Sequence, residues 1–438
     1  MIKVCKFGGT SLADGTNFRR VAAILESDPT RRYVVVSAPG KRYGADTKIT
    51  DLLYEAYREL KETGAVGEAF GKVSERFRGI VRELGLNFPI DEVLCEVKRG
   101  IEAEKSADFA ASRGEYLCAR IMANFLGVPF IDARDVIKFT AEGKLDSERS
   151  YALVRETLIG KKRAVIAGFY GETLDGKIKT FSRGGSDISG AIVARAVMAN
   201  VYENWTDTSG FLACDPRIVT GAKTISSLSY KELRELSYMG ANVLHSDSIF
   251  PVRDSNIPIV IKNTFRPEDE GTEILPVSKY RFGDSTVTGV AGKQGFTVLV
   301  LEKQSMNAEA KFIYKVLSIL LKHGVPFEHV PSGIDTISVV IPCEGLDRGV
   351  LDRACEEIRK TVLPDAVHIH PNITLIAVVG HGLRRSVGAS ARVFDAIGRA
   401  GVNVRMIEGA SELNILIGVD DENYERTVRA VYEEFFTP

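Results

Sequence analysis

The chain of 438 residues carries 57 basic and 58 acidic side chains, a formal net charge of −1, with 45% hydrophobic and 26% charged residues. That balance suits a globular protein of two to four compact units and offers no basic field for non-specific nucleic-acid binding. No apolar run is long enough to cross a bilayer, residues 1–9 lack a secretory leader's apolar stretch, and the six scattered cysteines form no CxxC pair. A cytoplasmic protein is therefore expected, with no nucleic acid or membrane as partner and no disulfide framework.

In chain order, a short apolar strand over residues 2–7 runs into Lys6-Phe7-Gly8-Gly9-Thr10-Ser11, and a helix is expected over about residues 17–26. Strand-like runs recur at 33–36, 127–131, 163–169, 200–206 and 257–261, separated by helical patterns such as 114–126 and 188–198. Buried strands alternating with helices predict an α/β fold with a mainly parallel central sheet. Ligands of such sheets collect at the carboxyl ends of the strands.

The character of the chain changes near residue 282. Thr297-Val298-Leu299-Val300-Leu301 matches Thr374-Leu375-Ile376-Ala377-Val378, and His323-Gly324-Val325-Pro326-Phe327 matches Ala400-Gly401-Val402-Asn403-Val404, both at an offset of 77 residues. Each copy reads strand, helix, strand, strand, helix, the pattern of a small ferredoxin-like α+β unit. The expected organisation is a catalytic domain over residues 1–281 and a regulatory region with two such units over 282–438.

Three segments carry the chemistry. Gly8 and Gly9 let backbone N–H groups approach a phosphate, and Lys6 adds a compact positive charge. In Phe181-Ser182-Arg183-Gly184-Gly185-Ser186-Asp187, an arginine fork suits a carboxylate and an aspartate suits an ammonium group, together the two ends of an amino acid. Asp187 also reads as a simple helix N-cap. Thr206-Asp207, Gly210 and Asp215-Pro216-Arg217 follow an apolar strand where ribose and phosphate could be met. Glu115 stands where a helix is expected to start, favourable to the helix dipole with or without a ligand. His368 and His370 share a strand face but have no third ligand.

Taken in order, these segments resemble the aspartate kinases of the amino-acid kinase family along essentially the whole chain. The matching residues include Lys6-Phe7-Gly8-Gly9-Thr10-Ser11, Val36-Ser37-Ala38, Ser112-Arg113-Gly114-Glu115, Gly168-Phe169, Arg183-Gly184-Gly185-Ser186-Asp187, Thr206-Asp207 and Val243-Leu244-His245. The C-terminal repeat resembles the tandem ACT domains of the same enzymes. The resemblance implies transfer of the γ-phosphoryl group of ATP, with Mg²⁺, to the side-chain carboxylate of L-aspartate, giving 4-phospho-L-aspartate. It further implies that Lys6, Gly8, Gly9, Thr206, Asp207 and Arg217 contact ATP. Thr50, Glu115, Phe169, Arg183, Gly184, Ser186 and Asp187 would surround aspartate, with Lys6, Arg183 and Asp187 central to catalysis. Arg183 would pair the α-carboxylate, and Glu115 with Asp187 would orient the ammonium. Met306, Phe312 and Glu328 align with a lysine-effector pocket, which implies inhibition by lysine, threonine or both, and a homodimer or higher homo-oligomer joined through ACT domains. Leu212 and Asn242 depart from a Tyr and a Lys common in relatives, and the loop Lys41 to Lys48 is longer than in some.

Overall fold

The buried β-branched runs near the N-terminus form the middle of a sheet. Strand β1 (Lys3–Phe7) pairs in parallel with β2 (Arg31–Val36) on one side and with a later strand, Val201–Thr206, on the other. The structure, a computed structural model, describes residues 1–182, 184–241, 244, 249–280, 285–306, 311–409 and 413–437. The chain divides into two compact units, the first made of Met1–Phe211, Thr224–Ser237 and Asn242–Arg281. The second comprises Leu212–Lys223, Tyr238–Ala241 and Phe282–Pro438.

In the first unit the remaining strands are β3 (Phe130–Ile131), β4 (Ala164–Ala167), the hairpin β5 (Tyr170–Glu172) and β6 (Ile178–Thr180), β7 (Val201–Thr206), β8 (Ser227–Ser229), β9 (Ile259–Asn263) and β10 (Thr272–Leu275). Six of these join β1 and β2 in one eight-stranded sheet in the order β3-β4-β2-β1-β7-β9-β10-β8. Within this sheet, only the β9–β10 pair is antiparallel among the described residues. Strand β1 is buried on both faces, as its near-continuous apolar sequence requires in a covered parallel sheet. Three helices not individually anticipated, Ile49–Thr63, Glu68–Leu84 and Ile90–Glu104, follow β2.

Two helix starts differ from expectation, and both differences bear on the site. The helix anticipated from residue 114 begins at Ala107, because the Ser106 side chain accepts a hydrogen bond from Phe109 N at 3.3 Å and caps it. Glu115 therefore lies in mid-helix, where the dipole argument for its placement no longer holds. The helix anticipated from residue 188 begins at Gly185, with Gly184 at φ +56° as its N-cap, so Asp187 sits inside the first turn and is not the cap.

The second unit holds a five-stranded antiparallel sheet in the order β12-β11-β13-β15-β14. Its strands are β11 (Gly289–Glu302), β12 (Thr336–Pro342), β13 (Ala366–Val379), β14 (Met406–Glu408) and β15 (Asn414–Asp420). The long β11 and β13 pair from Gly289↔Val379 to Glu302↔Ala366, so both copies of the repeat share one sheet. In the first copy the second strand reduces to isolated bridges at His329↔Val340 and Ser332↔Ile337, whereas β14 forms it in the second copy.

Candidate active site

The side-chain alternation of β1 and β7 sets the centre of the site. Their parallel register places Lys6 beside Asn204 and Cys5 beside Glu203. Lys6 and Asn204 thus share one face of the sheet, while Cys5 and Glu203 share the other. On the first face both side chains reach Asp187 in the opening turn of the helix Gly185–Ala196. Lys6 Nζ lies 2.7 Å from Asp187 Oδ1, and Asn204 Nδ2 donates to the same oxygen at 2.8 Å. Tyr202, two residues before Asn204 on that face, donates from its hydroxyl to the Asp187 carbonyl at 3.1 Å. On the opposite face Glu203 takes ion pairs from Lys3 at 3.1 Å and Arg31 at 2.8 Å and accepts from Trp205 Nε1 at 2.9 Å. That second cluster is fully paired within the protein and ties three strands together.

Two glycine-containing loops meet above β1. Gly40 N donates to Gly9 O at 2.8 Å. A Cβ on Gly9 would stand 2.9 Å from Ala38 O, and one on Gly40 would stand 2.7 Å from the Gly9 carbonyl carbon and Thr10 N. Gly8 is different, since a Cβ there would meet no protein atom nearer than 3.6 Å. Ser11 Oγ and Thr264 Oγ1, both fully buried, lie 2.7 Å apart and join this loop to the end of β9. The second loop is held from beneath by Arg76, which donates to Gly40 O at 3.0 Å and to Asp46 Oδ2 at 2.6 Å. Hydrogen bonds from Arg42 and the charge of Arg76 keep the Asp46 carboxyl well below the usual carboxylate range, against the cost of burial.

Glu115 is 4% exposed, and its Oε2 has no hydrogen-bond partner among the described residues. Burial pushes its carboxyl up to about 8, despite a backbone hydrogen bond from Ala38 and the charges of Arg113 and Lys6. The neighbouring Arg113 is held by aromatic rings. Its guanidinium carbon lies 4.5 Å from the Phe109 ring centre, 4.6 Å from that of Tyr116 and 5.2 Å from that of Tyr170. Phe169 adopts φ +79°, a left-handed conformation uncommon for an aromatic residue. Ser189 Oγ accepts its N–H at 3.0 Å, and a Cβ on Gly185 would strike its ring at 2.6 Å. A Cβ on Gly168 would meet Ser186 at 2.8 Å. Gly168 and Phe169 are thereby seated on the helix start that carries Gly184, Ser186 and Asp187. Thr50 occupies the first turn of the helix Ile49–Thr63, partly buried. Arg183, Asn242, Val243 and His245 lie outside the described residues.

The other expected residues divide between the units. Thr206 ends β7, and its carbonyl accepts from Thr264 N at 2.8 Å, while Asp207 follows it exposed. Arg217 belongs to the second unit, where its side chain is 88% exposed and pairs with Asp215 at 2.6 Å. Also in the second unit, Met306 and Phe312 are core residues, packed with Leu299, Val316, Ile337 and Val339. Glu328 Oε1 pairs with Lys293 Nζ at 3.2 Å, and its Oε2 is buried without a partner among the described residues.

Asn204, Ser11, Thr264 and Arg76 were not anticipated as parts of the site. A signal existed for Asn204, a polar residue two positions before Thr206 and hence on the same face of a strand otherwise made for burial. Ser11–Thr264 and Arg76–Asp46 join residues distant in sequence, and only the folded chain brings them together.

The amino acid kinase family matches residues 1–263, and an ACT domain matches residues 376–435. Aspartokinase 3 of Bacillus subtilis is 36% identical, with 99% of each chain covered. The crystal structure of Clostridium acetobutylicum aspartate kinase superposes with a TM-score of 0.91 at 48% identity, with 99% of both chains covered. Escherichia coli aspartokinase III in complex with aspartate and ADP, its R-state, gives a TM-score of 0.78 at 25% identity over 100% of both chains. The same enzyme in complex with lysine and aspartate, its T-state, gives 0.77 at 26% identity over 99% of both.

Proposed function

The chain belongs to the aspartokinases of the amino acid kinase family, and we propose that it phosphorylates the side-chain carboxylate of L-aspartate with ATP around the Lys6–Asp187 pair. The observation that carries this reading is the convergence of Lys6, Asn204 and Asp187 at the carboxyl ends of adjacent parallel strands, below a pair of glycine loops.

A carboxylate is already a nucleophile at neutral pH, so the transfer asks for alignment and charge neutralisation and needs no activated serine or cysteine. Lys6 neutralises charge on the moving phosphoryl group, and Gly8 leaves room for phosphate oxygens at the end of β1. Gly9 keeps the two loops in contact. Glu115 and Asp187 take the substrate ammonium, Arg183 its α-carboxylate, and Thr50, Phe169, Gly184 and Ser186 close around it. Thr206 and Asp207 serve the nucleotide, with Arg217 as a further contact. Mg²⁺ brought with ATP would supply charge neutralisation at the phosphate oxygens, which suit this hard cation.

In regulation, lysine or threonine is read by the second unit, with Met306, Phe312 and Glu328 as candidate effector residues. Subunits pair through this region as a homodimer or a larger assembly. The effector inhibits by binding two states of the enzyme with different affinity. Support comes from the lysine-bound relative and from the unpaired buried oxygen of Glu328.

The deciding experiment traps acyl phosphate as hydroxamate with ATP and L-aspartate, glutamate or acetylglutamate as acceptor. Aspartate-dependent hydroxamate is expected, with Lys6→Ala reducing it at least about 100-fold, as for loss of one charge-stabilising donor. Hydroxamate from glutamate and not aspartate would reassign the acceptor. Full turnover by Lys6→Ala would remove Lys6 from the chemistry.

A further inference from the structure

Asp187 Oδ1 has two donors of different kinds. Lys6 is charged and sits on the strand that runs into the Gly8–Gly9 loop, whereas Asn204 is neutral and 3% exposed within β7. A carboxylate only accepts, so the Asn204 amide must turn its NH₂ toward Asp187, and its orientation is fixed by chemistry. In the transfer proposed above, Lys6 gives part of its charge to the phosphoryl oxygens and loosens its hold on Asp187. Asn204 has no comparable attraction to phosphate and stays bound.

We propose that Asn204 is a positioning residue for phosphoryl transfer, holding Asp187 Oδ1 while Lys6 serves the phosphate, so that Oδ2 keeps its aim on the substrate. This rests on the reading of Asp187 as a substrate-site carboxylate. The neighbouring strand supports it, since Tyr202 fixes the Asp187 backbone from the same face of β7. The strand thus anchors Asp187 at two points, one on the main chain and one on the side chain.

Replacing the amide by a carboxyl separates a positioning role from mere filling of space. In Asn204→Asp, two carboxyls lie within hydrogen-bond distance. A shared proton preserves a donor at low pH, and its loss at high pH sets two like charges against each other. The groups around this pair are Lys6 from β1 and the Tyr202 hydroxyl from β7, and Glu115 senses the Lys6 charge. Glu115 titrates in both proteins, so the quantity to follow is the ratio of variant to wild-type kcat.

Hydroxamate assays on the full chain should show that ratio falling by about tenfold or more between about pH 6 and pH 8, following titration of the shared proton. Asn204→Ser, which keeps a donor, should retain more kcat than Asn204→Ala. Both should raise KM for aspartate and leave KM for ATP nearly unchanged. A pH-independent ratio for a folded Asn204→Asp would overturn the proposal. Should Asn204→Asp fail to fold, the serine and alanine variants decide alone, and equal kcat and KM in those two would overturn it. Wild-type protein that forms no aspartate-dependent hydroxamate would instead sink the underlying assignment of Asp187.

Discussion

At the scale of single residues, Glu115 carries the sharpest physical consequence. A carboxyl buried enough to titrate at about 8 binds its proton more tightly in the folded protein than at the ordinary value of 4.5. The folded state then loses stability as the pH rises from 4.5 to about 8, by roughly 1.4 kcal/mol per pH unit, with no further loss above that range. Thermal unfolding without ligands should follow this slope, and Glu115→Gln should flatten it. An arriving substrate ammonium favours the ionised form, so aspartate binding near pH 7 should release a proton. Calorimetry in buffers of different ionisation heat would detect it. Equal binding heats in all buffers would mean that Glu115 does not meet the ammonium.

At the scale of elements, the glycine loops make separable predictions. Gly9→Ala and Gly40→Ala push a methyl group into backbone atoms at 2.9 Å and 2.7 Å, and should cost about 1–3 kcal/mol in denaturant unfolding. Gly8→Ala meets nothing nearer than 3.6 Å, so it should unfold like wild type or up to about 1 kcal/mol later, yet raise KM for ATP. Normal ATP kinetics in Gly8→Ala would mean that phosphate does not approach that backbone. Short, near-continuous apolar runs alternating with helical patterns, together with the glycine turns, made the parallel sheet and the Lys6 loop legible in sequence. The helix starts were less so. Ser106 caps a helix that begins seven residues before the expected start, and Gly184 needs a left-handed φ that no periodicity announces. Asn204 escaped notice because its role depends on the register of β1 against β7, which is a property of the pairing and not of either strand.

At the scale of the whole molecule, effector sensing is the property to test. Glu328→Ala removes the carboxylate paired with Lys293 and should shift the half-inhibitory lysine concentration by about tenfold or more, the loss expected for one charge-assisted hydrogen bond. An unchanged inhibition curve would place the effector elsewhere. The second unit also has a consequence set by its two longest strands. Because β11 and β13 pair along nearly their full lengths, neither repeat owns its central strand outright. Amide hydrogens near Leu299 and Ile376 should therefore exchange with solvent at one common slow rate, both repeats opening as a single cooperative unit. A repeat cut out alone would keep half a ladder and expose the other half as a bare edge, prone to pair with whatever strand it meets.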